Sequence, residues 1–324
     1  MSEAVSPELL EEGERTMPQA GPDPAILRRR LRSELRNARE AAEMTQRDVA
    51  MAMDWSASKL IRIESGAVNI STNDLRALLG HYGIDSNRIE SLVETARAAR
   101  ETTHWNIYKS VASPEYIAFL GYEASASIIR NFEPILVPGL LQTEEYARAV
   151  IGVLVDHDPT RIDPLVDLRM ERQELLVRNP APSLHFIMDE AVIRRVAGGR
   201  HIMLRQLRHL QRLAEYPNIT IRIIPFEHGM YPRQQVAYWL FEFSDPEDEY
   251  VLYVENPEPG EYIIRENSPE EREKASPVHY LEVFYELEQA VGSEYTQEFL
   301  QNAIDRLSNG PRRQVPGESA DADE

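Results

Sequence analysis

The stretch from Thr45 to Gly66 constrains the fold more tightly than any other part of the chain. Thr45 is a strong N-cap, and Val49, Ala50 and Met53 then recur on one helical face. Asp54 and Trp55 interrupt that pattern as a tight turn. Ser56 restarts it as a second cap, Leu60 and Ile63 face inward, and Gly66 stops it. Two short helices joined this closely meet at a corner, and Ala50 is small enough to let them approach. Ser56, Ala57, Ser58, Lys59 and Arg62 are left on the outer face of the second helix.

A helix presented in this way fits the major groove of DNA, which is wide enough to admit it. Ser56 caps an N-terminus that favours a nearby phosphate. Lys59 and Arg62 lie three apart, so both are expected to reach the groove. Arg62 is suited to a bidentate pair with guanine O6 and N7. Gln46, opening the first helix of the pair, is placed to meet a phosphate or a base edge.

Charge supports a local site rather than a general one. The chain of 324 residues carries 35 Lys and Arg against 54 Asp and Glu, a net charge of −19. A uniformly basic nucleic-acid coat is therefore excluded. Between Arg28 and Glu64, however, nine basic residues face six acidic ones, so the sign is locally reversed. There is no cysteine, which removes disulfides, thiolate nucleophiles and cysteine-held metals. A cytoplasmic location is expected. The first fifteen residues lack the pattern of a secretory signal, and no apolar run approaches the roughly 18 residues that span a bilayer.

Residues 1–23 and 311–324 read as tails, the latter acidic. A helical domain is expected over 24–101, with helices near 25–42, 46–53 and 56–65, a fourth beginning near Ser71, and a fifth near 86–100. A second domain is expected over 105–310. Its opening segments 116–132, 144–155 and 161–178 look helical, with Pro164 in the first turn of the third. The period then changes, and 184–189, 219–226, 237–243 and 250–255 read as strands around a helix at 201–216. A charged linker at 266–273 and closing helices at 280–290 and 296–307 follow. The fold class is α+β: a five-helix N-terminal domain, then a mixed α/β domain with a small sheet and flanking helices.

Thr45-Gln46, Ala50, Ser56, Arg62-Ile63-Glu64 and Gly66 resemble the lambda-repressor/Cro-like (XRE-family) helix-turn-helix over about Leu31 to Gly83. Asp54 stands where that family usually has glycine, at a turn position that needs a left-handed residue. Ala57 stands where the family is often polar, and Trp55 where it has a small aliphatic residue. Trp55-Ser56, Ser58 and Lys59 instead resemble an actinobacterial subgroup. The segments Leu136 to Arg148, Arg169 to Gln173, Asp189 to Arg194 and Ile219 to Pro225 are similar to the Scr-type, toxin–antitoxin-like C-terminal domain of those same regulators.

The resemblance implies a sequence-specific transcriptional regulator acting on a double-stranded DNA operator. It also implies a small companion protein encoded nearby, and a homodimer. The alternative is an antitoxin-like module that sequesters the companion and binds DNA for autoregulation. Neither reading calls for a cofactor or a metal, and no enzyme is expected. The eight histidines form no His-Glu-x-x-His helix, and no phosphate-binding or nucleophile-elbow fingerprint occurs. Asp189-Glu190 reads as a helix cap rather than an acid–base pair beside His185. Arg28 to Arg30 read as a solvated helix face, with phosphate contact as the functional alternative. Trp55 reads as a core plug, and Pro138 to Thr143 as a loop packed on the sheet or the wall of a groove. Among Tyr231, Tyr238, Trp239, Phe241, Phe243, Tyr250 and Tyr253, strand alternation is expected to expose about half.

Overall fold

The computed structural model describes residues 23–245, 250–255, 262–266 and 276–309. The expected tails lie outside these residues, apart from Asp23, as does most of the charged linker. Five helices come first: α1 Pro24–Ala41, α2 Gln46–Ala52, α3 Ala57–Glu64, α4 Thr72–His81 and α5 Ser86–Ala98. Asp23, Thr45, Ser56, Ser71 and Asp85 cap them, each accepting a backbone N–H of the first turn. Leu35, Val49, Leu60, Ile63, Leu75, Leu78 and Val93 close one core between them.

The second region is an α+β layer structure. After α6 (Pro114–Ser125) come β1 (Ile128–Glu133), α7 (Glu144–Leu154), α8 (Pro159–Arg172), β2 (Ser183–Asp189) and α9 (Glu190–Arg194). Then follow α10 (Arg200–Leu213), β3 (Ile219–Ile224), β4 (Tyr238–Glu242), β5 (Val251–Glu255), β6 (Tyr262–Glu266), α11 (Pro277–Ala290) and α12 (Thr296–Asn309). The sheet order is β3-β2-β1-β4-β5-β6. The first three are mutually parallel, and β4, β5 and β6 add on antiparallel beside β1.

Three expectations about the second region are corrected here. The helix expected over 116–132 ends at Ser125, and its last third is β1, an interior strand. Ile129 and Asn131 on one face and Phe132 on the other are all fully buried, and a strand buried on both sides has no period to distinguish it from a helix. The helix expected over 161–178 starts at Pro159 and passes into a 3-10 turn at Gln173, so Pro164 sits in its second turn. The aromatic strands expose no half. Trp239, Phe241 and Tyr253 pack on Phe119 of α6. On the opposite face Tyr238 packs on Tyr280 and Phe284 of α11. Both faces of the sheet are covered, so alternation sorts these rings between two cores.

Helix α1 belongs to both regions. Leu31 and Leu35 enter the helical core, whereas Ala25 and Ile26 enter the core that also holds Trp105 and Phe119. Asp23 fixes this end. Its carboxylate caps Ala25 N at 2.8 Å and accepts the Thr103 hydroxyl at 2.8 Å. The Arg28 to Arg30 run lies at this seam, which corrects the reading of it as a solvated helix face. Arg28 Nε donates to the Ala99 carbonyl at 3.0 Å, buried Arg29 lies over the Phe243 ring, and Arg30 pairs with Asp245 at 3.0 Å. These cations bind protein, so the local charge surplus overstates what is offered to a phosphate.

Candidate nucleic-acid interface

The corner is built by local chemistry. Thr45 and Asp48 form a reciprocal capping box at the start of α2. Their hydrogen bonds hold the Asp48 carboxyl below its ordinary range. Asp54 takes the left-handed conformation that the turn requires, with φ 56°. Trp55 N donates to the Ala50 carbonyl at 2.8 Å, and the indole is half-buried against the helical core, as a plug would be. Ser56 Oγ accepts Lys59 N at 3.2 Å and starts α3.

The position of α3 is locked from beneath by a buried carboxylate. Glu64 accepts Arg39 Nε of α1 at 2.8 Å and Gln46 Nε2 of α2 at 2.7 Å. Arg39 also donates to the Met44 carbonyl at 3.0 Å. Desolvation alone would lower the Arg39 pKa, but the hydrogen bond and charge of Glu64 outweigh it and raise it. Three helices are thus tied at one acid.

Of the six residues assigned from the sequence, Ser56, Ala57, Ser58 and Arg62 lie together on the exposed surface of α3. The other two are engaged by protein. Lys59 is drawn to one side, pairing with Asp74 of α4 at 3.0 Å and lying 3.8 Å over the Trp55 ring. Gln46 commits its amide nitrogen to Glu64. Two features were not assigned in advance. The Arg39–Glu64 pair leaves one trace in the sequence, an acid at an inward position beside Leu60 and Ile63. Ile61 is 47% exposed although it stands in an apolar run.

Among the described residues the second region offers no comparable constellation. Asp189 caps α9 at Ala191 N, as expected, and also accepts the Tyr231 hydroxyl at 2.5 Å. His185 bonds Glu288 at 2.9 Å. His209 is held below its ordinary pKa by burial and by Arg212. Among the described residues no group of three or more His, Asp or Glu could hold a metal ion. Leu140, Leu141 and Gln142 pack inward from the loop, and Thr143 caps α7. Thr143 also borders an open groove of about 690 Å³ lined by Arg205, Arg208 and Arg212 of α10, with Glu145 and Glu215.

Five helices with a capped, outward-facing third helix define a helix-turn-helix domain, the fold of DNA-binding transcription regulators. The chain matches a helix-turn-helix domain family over residues 30–92. Residues 116–276 match a domain of unknown function, DUF5753. No curated protein matches the chain, and no solved structure matches it. Among the described residues no helix is long and apolar enough to cross a membrane.

Proposed function

We propose that the chain is a sequence-specific transcriptional regulator, without enzymatic activity of its own, that docks α3 in the major groove of an operator. The observation that carries this reading is the pairing of a solvent-facing Arg62 with a helix braced from below by Glu64. A base-reading side chain needs a rigid platform, and a buried charge-assisted network supplies one. Ser56, Ala57 and Ser58 line the approach, and Arg62 takes a guanine edge. Lys59 adds a cation at the rim rather than a base contact, because Asp74 and Trp55 hold it. The protein acts as a homodimer in the cytoplasm on half-sites about one helical turn apart.

The C-terminal domain, in this reading, receives a ligand or a small companion protein and passes the signal through α1, which is embedded in both cores. The charged groove between α7, α10 and α12 is a candidate receiving surface. The resemblance of its segments to a Scr-type, antitoxin-like domain is the ground for the alternative, in which companion binding is primary and DNA binding serves autoregulation. Gel-shift titration of the full chain across a salt series tests the DNA reading. Affinity for one enriched duplex falls steeply with salt, while the specificity ratio persists. Binding that is equal on all duplexes contradicts it. Co-purification with the neighbouring gene product decides between the two roles of the second domain.

A further inference from the structure

The outer face of α3 is half apolar. Ala57 and Ile61 lie one helical turn apart on one side of it, and Ser58 and Arg62 run beside them. Leu60 and Ile63, the other aliphatic residues of α3, are buried at 0% and 3% exposure, whereas Ile61 stands 47% exposed. The helical core gains little from an isoleucine there. Lys59, which would have made this face mainly cationic, is turned aside onto Trp55 and Asp74. What projects is therefore one guanidinium next to a branched aliphatic group.

In the major groove the only apolar feature of a base edge is the thymine C5-methyl, and an aliphatic side chain distinguishes it from the other bases. Resting on the DNA reading above, we propose that Ile61 is a specificity-determining residue that packs on a thymine methyl, with Ala57 leaving room for that base. Arg62, the next residue, holds a guanine close by. The half-site then contains a guanine within a step or two of a thymine, and discrimination at the thymine rests on a methyl group rather than a hydrogen bond. Removing that methyl exposes the Ile61 side chain again, and it leaves every hydrogen-bonding group of the base pair in place.

The test uses the full chain. Bound duplexes are selected from a randomised pool, and the enriched thymine is then replaced by deoxyuracil, which lacks only the methyl. The expected result is a guanine–thymine pair of positions in the enriched motif and about a 4-fold loss of affinity on the uracil duplex. The Ile61→Ala variant is expected to bind thymine and uracil duplexes alike, with an unchanged melting temperature because the side chain is exposed. Equal binding of both duplexes by the unaltered protein overturns the proposal, as does a thymine preference that survives Ile61→Ala in full. A pool that yields no enriched motif overturns the DNA reading itself, an outcome distinct from an enriched motif without thymine.

Discussion

Arg39 of α1 donates Nε to Glu64 of α3 at 2.8 Å, with Glu64 only 2% exposed. The bond fixes the helix offered to DNA to the helix that also enters the second core. Glu64 is the buried partner, so removing Arg39 leaves its carboxylate without a cation, at a cost of about 3–5 kcal/mol. Arg39→Met is therefore expected to lower the unfolding midpoint of the helical domain and weaken DNA binding with it. Arg39→Met combined with Glu64→Leu is expected to cost less than the two single changes summed. A double-mutant cycle by denaturant melts measures this coupling.

Asp54 carries the turn with φ 56°, and its side chain is exposed. A non-glycine residue in that region is strained, and glycine is not. Asp54→Gly is expected to stabilise the protein by up to about 1 kcal/mol, the gain being reduced by the extra freedom of glycine in the unfolded chain. Chemical denaturation at equilibrium checks the sign.

Glu133 ends β1 almost wholly buried, at 7% exposure. Burial, and then the Glu255 carboxylate, push its pKa well above the ordinary value of 4.5. The folded chain therefore holds a proton that the unfolded chain has released. The stabilisation linked to that proton is complete below pH 4.5 and is lost as pH rises through the raised folded value. Glu133→Gln is expected to be the more stable protein at neutral pH. The two proteins should converge in acid. Melting temperatures across a pH series follow this directly.

Much of this architecture was legible because its signals are local. Thr45, Ser56, Ser71 and Thr143 each cap a helix where the residue type predicts one. The left-handed turn at Asp54 is forced by two helices lying so close in sequence. What escaped reading depends on partners far away in the chain. Arg30 pairs with Asp245, Arg29 lies over Phe243, and β1 is a strand because β2 and β4 flank it. At the interface itself, Lys59 and Arg62 look equivalent by spacing. Asp74, fifteen residues beyond Lys59, makes them different.

Base reading by exposed Arg62, on a helix held by Glu64, carries the proposed function. It is tested most directly by titrating wild-type and Arg62→Ala protein against the selected duplex and against single-base variants of it. The expected result is a loss of about 1–3 kcal/mol on the selected duplex, with preference relaxed at one guanine and retained elsewhere. Unchanged affinity, or a loss spread equally over all duplexes, would contradict it.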